Sequence, residues 1–130
     1  MNTTAKWYWF TPTAKADSKG TILMEGPVQL LRPLDLDDVG AMYVIEQAQR
    51  EVHAFEDELE PLTVEGTKLP ADHPIVELPT NFHLYREVVK VRDSMDEQDL
   101  CTWAYDYCRA HRIPGEAVSK VLALVRQIER

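Results

Sequence analysis

The spacing of its prolines is the feature that most constrains the fold of this 130-residue chain. Four of them fall within one short stretch: Pro61, Pro70, Pro74 and Pro79. Proline has no N–H to donate, so it interrupts helices and central strands alike. The segment from Leu62 to Thr80 is therefore predicted to be an extended connection without a long element. Regular structure should lie on either side of it.

The first part of the chain has the pattern of a small sheet. Residues 6–11 are rich in aromatic side chains and end at a proline, which is typical of a strand. Short apolar runs at residues 21–25 and 28–31 flank Gly26-Pro27, a turn signal. We predict an antiparallel sheet of about three strands. Aromatic residues alternate along the first strand, so both faces of the sheet are expected to be covered.

A long helix is predicted between this sheet and Pro61. Asp35 or Asp37 can serve as its N-cap, where a carboxylate also suits the positive end of the helix dipole. Apolar residues then recur at steps of three and four, the pattern of a buried helical stripe. The stripe comprises Val39, Met42, Ile45, Ala48, Val52, Phe55 and Leu59.

Three further helices are predicted after the proline-rich stretch. Residues 82–92 fit a helix better than a strand, although their β-branched residues suit either. Ser94 and Glu97 have the spacing of a capping box, so a helix should follow to about Ala110. Pro114 is placed to open the last helix. Its buried stripe would be Val118, Val121, Leu122, Val125 and Ile128.

These elements predict an α+β fold, a small N-terminal antiparallel sheet packed with three to four helices, in one domain over residues 1–130. The hydrophobic content of 45% and the charged content of 28% are typical of globular chains. Neither a signal peptide nor a membrane-spanning run is evident, which favours a cytoplasmic protein without a membrane partner. Cys101 and Cys108 would lie about 10.5 Å apart on one helix, too far to form a disulfide.

The candidate catalytic and metal-binding residues do not assemble into a motif. His53 is predicted to share a helix face with Glu56 and Asp57, which gives at most two or three ligands. Cys108 and His111 are three residues apart, but structural zinc needs a second pair. His73 follows an aspartate, yet no serine stands in a nucleophile elbow, and the glycines form no phosphate loop. We therefore predict no catalytic residue, no cofactor and no metal.

The distribution of charge gives the leading functional hypothesis. The formal net charge is −8, and residues 35–77 hold twelve acidic but only two basic residues, whereas the rest holds ten and twelve. An acidic helix face would steer association with a basic protein surface, such as that of a nucleic-acid-binding protein. The sequence thus indicates a small non-enzymatic inhibitor, adaptor or immunity-type factor. Its predicted partner-binding residues are Glu51, Glu56, Asp57, Glu58 and Glu60.

Four alternatives remain open from the residues alone. The acidic tract can simply be a solvated surface. The last two helices can form a helix-turn-helix regulator, although eight acidic residues balance eight basic ones between Arg86 and Arg130, which argues against direct nucleic-acid binding. An enzyme would use His53 or His73 with nearby carboxylates. A homodimer would form if the aromatic N-terminal strand were an open sheet edge.

Overall fold

The computed structural model describes residues 5–16, 19–34 and 42–129. The chain divides into two compact units, Met1–Thr63 and Val64–Arg130. The first unit contains all the strands of the described residues and the second contains the α-helices, so the predicted α+β class is correct. The prediction that residues 1–130 form one domain stays a prediction.

The first unit is built on an antiparallel sheet of five strands, not of about three. The strands are β1 (Tyr8–Phe10), β2 (Gly26–Leu34), β3 (Met42–Gln47), β4 (Arg50–Phe55) and β5 (Leu59–Pro61). Their order across the sheet is β4-β3-β2-β1-β5. The aromatic strand β1 therefore lies between two neighbours, which overturns the prediction that it is an open edge. The edges are β4 and β5.

The predicted helix between residues 35 and 59 is wrong wherever the structure describes it. Its proposed caps, Asp35 and Asp37, lie outside the described residues, as does Val39. From Met42 onward the chain forms β3, β4, a 3-10 turn over Glu56–Glu58 and β5. Along β4 the burial alternates with the period of a strand, since Val52 and Ala54 are buried while their neighbours are exposed.

A tight hairpin joins β3 to β4. Gln47 pairs with Arg50, so only Ala48 and Gln49 form the turn. Both have positive φ, 50° and 65°, the left-handed conformation that a type I′ hairpin turn requires at both central positions. Neither residue is glycine or asparagine, so the sequence carries no turn signal here. The hairpin leaves β4 with a strand neighbour on one side only.

Strand β1 is buried on both faces, as its alternating aromatic residues predict. Tyr8, Trp9 and Phe10 are each at most 3% exposed. Tyr8 and Phe10 belong to the core cluster of this unit. Its other buried members are Val28, Ile45, Val52, Ala54 and Leu59. Burying aromatic and β-branched side chains on one face of a twisted sheet supplies the main stabilisation of such a unit.

The second unit contains three α-helices: α1 (Pro79–Val91), α2 (Glu97–Ala110) and α3 (Ala117–Ile128). Residues 82–91 are thus helical, as favoured from the sequence, and α2 ends at the predicted residue. Within the described residues no helix has the length and apolar character needed to cross a membrane. Short 3-10 turns over Pro74–Glu77 and Arg92–Ser94 precede α1 and α2.

Two details of the helix starts differ from the prediction. The N-cap of α2 is Asp96, whose carboxylate accepts a hydrogen bond from Asp99 N at 2.8 Å. Ser94 lies in the preceding 3-10 turn and donates to Val91 O instead. Pro114 begins a turn that leads into α3 three residues later, because Ala117 N donates to its carbonyl. The predicted capping box is therefore wrong, although the helix predicted to follow it is present.

Apolar residues at helical spacing on α2 and α3 contribute to the core of the helical unit. Four of the five residues predicted for α3 are buried, and Ile128 is half-buried. On α2 the buried residues are Leu100, Ala104 and Cys108. Cys101 and Cys108 are both free, as their predicted separation requires.

The carboxylate of Glu129 fixes the end of α3. It accepts from Lys68 N at 2.7 Å and from the Tyr85 hydroxyl, and it pairs with Arg92 Nη1 at 3.0 Å. Burial alone raises the pKa of this carboxyl. The Tyr85 and Lys68 hydrogen bonds and the Arg92 charge outweigh burial and hold the pKa of Glu129 below its usual value. One side chain thus ties three segments of the unit together.

Candidate partner-binding cleft

A cleft lies in the sheet unit beside the edge strand β4. The connection between β1 and β2 is anchored near both ends of this strand. At one end Thr13 N donates to Glu58, and at the other Met24 N donates to Gln47 Oε1 at 3.3 Å. Between these anchors the connection faces β4 across a cavity of about 310 Å³, which is at the small end of ligand-pocket volumes.

Glu58 is the most informative residue of this cleft. It is 6% exposed, and its carboxylate accepts three hydrogen bonds. Oε2 accepts from Thr13 N at 2.8 Å and Thr13 Oγ1 at 3.2 Å, and Oε1 accepts from Phe55 N at 2.8 Å. These bonds fix the 3-10 turn after β4 and hold the β1–β2 connection in place. All three donors are neutral groups.

The side chains of β4 form one wall of the cleft. Glu51, His53 and Phe55 point to the same face at alternate positions, and Phe55 is 41% exposed. The apolar side chains of Leu23 and Met42 also line the cavity. The remaining lining residues are Thr13, Ala14, Ala16, Lys19, Thr21 and Glu58. The cleft therefore combines apolar walls with the carboxylates of Glu51 and Glu58, the second of them buried, and with the cationic side chain of Lys19.

The five acidic residues predicted from the sequence do not share a helix face. Glu51 lies on β4 and forms an exposed ion pair with Arg32 at 2.7 Å. Glu56 and Asp57 are in the 3-10 turn, half-buried and exposed respectively. Glu58 is buried, and Glu60 is half-buried on β5. The structure therefore brings Glu51 and Glu58 to one cleft.

The candidate residues His53, His73 and Cys108 lie in three different environments. His53 lines the cleft but has no shared helix face with Glu56 and Asp57. His73 caps the 3-10 turn over Pro74–Glu77, because its Nδ1 accepts from Ile75 N at 3.2 Å. Within the described chain, neither of these histidines nor Cys108 belongs to a group of three or more potential metal ligands. Cys108 is buried, and burial raises the pKa of its thiol.

Sequence reasoning did not single out His83, a buried histidine of α1. Its Nε2 lies 2.7 Å from the hydroxyl of Tyr107, whose ring stacks on His111 at 4.1 Å between centroids. Burial, followed by the nearby positive charges of His111, Arg86 and Lys90, lowers the pKa of His83 to about 3. The imidazole is therefore neutral at physiological pH. Its position on a mixed face of α1 gave no signal that it would be buried.

A second cavity, of about 320 Å³, lies in the helical unit among α2, α3 and the turn that precedes α2. Its walls include apolar side chains and two arginines. Arg92 pairs with Glu129, and Arg126 pairs with Glu97, so both cations of this cavity already have carboxylate partners. Of the other basic residues of the last helix, Lys120 is exposed on α3 and Arg130 lies outside the described residues.

Comparison of the chain with protein-family models, with curated proteins and with solved structures finds no match.

Proposed function

We propose that this protein is a small non-enzymatic binding factor, of the inhibitor, adaptor or immunity type, that receives a basic side chain of a partner protein in the cleft beside β4. The proposal keeps the basic partner predicted from the sequence. It replaces the acidic helix face with a cleft whose central group is Glu58.

The observation that carries the proposal is the hydrogen bonding of Glu58. An ionised carboxylate offers about four lone-pair sites. Within the described residues three sites accept from neutral groups, and no cation pairs with this carboxylate. A buried carboxylate is costly unless a positive charge or further donors compensate it. A lysine or arginine entering from the cleft would supply both a donor and the missing charge.

The walls of the cleft suit the rest of such a side chain. Lysine and arginine carry apolar stems that bury well against hydrophobic surface while the charged end remains in polar surroundings. Leu23, Met42 and Phe55 provide that surface. The exposed ring of Phe55 also offers a face to a cation, a contact that is worth about 0.5–1 kcal/mol at exposed sites.

The charge of the whole sequence supports the same class of partner. Excess acidic residues around the cleft would accelerate encounter with a basic surface and make association sensitive to salt. Mutual repulsion would disfavour acidic partners. The acidic tract then has two roles, since its exposed members steer the partner while Glu58 receives it.

Selection of random octapeptides displayed on phage tests this function directly. We expect the wild-type protein at low salt to retain peptides enriched in lysine and arginine, with affinity that falls as salt is raised. Glu58→Gln should weaken the best of these peptides about 10- to 100-fold, the equivalent of a hydrogen bond to a charged group. Glu65→Gln, which removes an exposed acidic charge of the helical unit, is the matched control.

Glu58→Gln also removes at least one structural hydrogen bond, so folding must be monitored in parallel. Circular dichroism and thermal unfolding of each variant identify the temperature range in which both are folded, and affinities are compared there. Retention of peptides without basic residues, or equal affinities of folded wild-type and Glu58→Gln protein, would contradict the proposal.

A further inference from the structure

We infer that the partner segment binds as an added β-strand on the outer edge of β4, with its backbone paired to Glu51 and His53. The inference rests on the proposed function only in using the same cleft. It specifies how the bound segment is oriented and which of its backbone groups are needed.

The hairpin turn establishes which backbone groups of β4 face outward. In an antiparallel pair, residues that exchange hydrogen bonds with the neighbouring strand alternate with residues that do not. A two-residue turn is closed by a hydrogen-bonded pair, here Gln47 and Arg50. The same pattern repeats every second residue after Arg50. Val52 and Ala54 therefore also bond to β3. The backbone groups of Glu51, His53 and Phe55 therefore point away from the sheet.

A second contact, at the opposite end of the strand, agrees with this assignment. Phe55 N donates to Glu58 Oε1 at 2.8 Å, so its N–H is directed away from β3. The alternation counted from the turn and the direction of the Phe55 N–H are independent observations. Both place the outward backbone groups of β4 on the same residues. The outward side of β4 is thus fixed by two observations, five residues apart.

Two residues on this outer edge have backbone groups left to pair. Phe55 N is satisfied by Glu58, but in the described part of the chain no hydrogen bond to the N–H or C=O of Glu51 or His53 is present. Unpaired edge groups of this kind are a template for a further strand. Strand addition to an exposed sheet edge is a recurrent mode of peptide recognition, in which backbone pairing gives affinity and alternate side chains give specificity.

The cavity between β4 and the β1–β2 connection can receive side chains of that strand. The connection is anchored beyond each end of β4, at Gln47 and at Glu58, and the cavity of about 310 Å³ lies between the anchors. The cavity also reaches Met42 of β3, so it lies over the face that carries the side chains of Glu51, His53 and Phe55. Side chains on the same face of a segment paired to β4 would enter it. The anchors therefore limit the paired part of the ligand to a few residues.

Charge determines which segment can occupy the edge. A second copy of this chain would bring its own Glu51 and Asp57 to an edge that already carries these carboxylates, which is unfavourable. A basic segment is complementary. Ligand residues paired with Glu51 and His53 are two apart and have side chains on the same face of the sheet. The residue two further along lies beside Phe55, where its basic side chain can reach Glu58.

N-methylation of the selected octapeptide tests the inference without altering the protein. Methylating an amide that pairs with Glu51 or His53 should weaken binding about tenfold, the upper range for one hydrogen bond plus the steric clash. Methylating the amides between them should have little effect. The affinities should therefore alternate with a period of two along the bound residues.

A protein variant provides a second test. His53→Pro removes one outward N–H and leaves the hydrogen bonds between β3 and β4 intact, and proline is tolerated at such an edge position. We expect it to bind about tenfold more weakly than the matched variant His53→Ala, which lacks the same imidazole but keeps the backbone N–H. If His53→Pro does not fold, the N-methyl series decides.

The outcomes separate this inference from the proposed function. Cation-dependent binding that is insensitive to the position of the N-methyl group would overturn strand addition and leave the proposed function standing. A period of two without dependence on the peptide's basic residue would overturn the proposed function alone. If the library yields no bound peptide, both are wrong.

Discussion

Replacing Glu129 by alanine should destabilise the protein strongly, although this residue lies next to the end of the chain. Its side chain is 2% exposed and contacts Lys68 N, the Tyr85 hydroxyl and the Arg92 guanidinium. The substitution removes the acceptor of two donors, the buried Tyr85 hydroxyl and the N–H of Lys68, which is an exposed residue. Arg92 keeps one bond, because its Nη1 also donates to the backbone carbonyl of residue 129 at 2.8 Å.

The size of the effect follows from these contacts. A buried donor left unsatisfied costs about 1–3 kcal/mol, and removing one partner of a buried ion pair costs about 3–5 kcal/mol. Arg92 is 22% exposed and its Nε lies 3.5 Å from Asp93 Oδ1, so water and that carboxylate partly compensate its charge, which favours the lower part of the ion-pair range. The contacts share one carboxylate, so their costs are not additive. We therefore expect Glu129→Ala to lower the free energy of unfolding by about 3–4 kcal/mol.

Urea unfolding followed by circular dichroism measures this quantity, with Glu65→Ala as control. Glu65 is an exposed acidic residue in a turn of the same unit, outside every helix, so its removal should change stability by less than about 0.5 kcal/mol. The advantage of the Glu129 carboxylate should also fade as pH falls below about 4.3, the unfolded value, since its folded pKa is lower. A loss below about 1 kcal/mol for Glu129→Ala would refute the assigned network.

Two further predictions concern pH and the hairpin. Because the pKa of His83 is about 3 when folded and about 6.5 when unfolded, the unfolded chain binds the extra proton between these values. Stability should therefore fall as pH drops from about 6.5 toward 3, by up to about 1.4 kcal/mol per pH unit, and NMR should show no titration of His83 between pH 8 and 5; a mid-range titration would contradict its burial. Replacing Ala48-Gln49 by Asn-Gly should stabilise the protein by about 1 kcal/mol in urea unfolding, because both positions have positive φ; a loss of stability would contradict the turn geometry.

The helical half of the chain could be predicted from its sequence because its signals agree with one another. Apolar residues recur with a helical period, and proline interrupts the chain before the first helix. The boundary at Ala110 and the buried residues of α3 follow from that pattern alone. The N-cap was misassigned because Ser94 and Asp96 are both suitable capping residues two positions apart, and only the backbone path selects Asp96.

The part of the sheet from Met42 onward could not be predicted because two local signals were misleading. Apolar residues from Met42 to Phe55 match a helical period. The turn that divides them, Ala48-Gln49, contains none of the residues that favour positive φ. Val44 and Ile45 are both buried, so β3 lacks the alternation that marks a strand covered on one face. Pairing with β2, a contact distant in sequence, overrides the helical pattern.

For the site, the sequence located the acidic region but could not rank its members. The sequence alone does not distinguish the environments of the four carboxylates within residues 56–60. Their environments differ because Thr13, which is 45 residues away, donates to Glu58 and to none of the others. Long-range contacts of this kind determine which carboxylate lines a cleft. The periodicity of the sequence does not predict such contacts.

A double-mutant cycle between Glu58 and the basic residue of the selected octapeptide tests the central claim most directly. Isothermal titration calorimetry would compare wild-type and Glu58→Gln protein, each with the peptide and with its form in which norleucine replaces the basic residue. Norleucine removes the charge of the peptide residue and keeps most of its stem. Any effect of Glu58→Gln on folding is common to both peptides and cancels within the cycle. A coupling energy of about 1.5–3 kcal/mol is predicted for a charged hydrogen bond between the two groups. A coupling energy near zero would show that the cation is bound elsewhere.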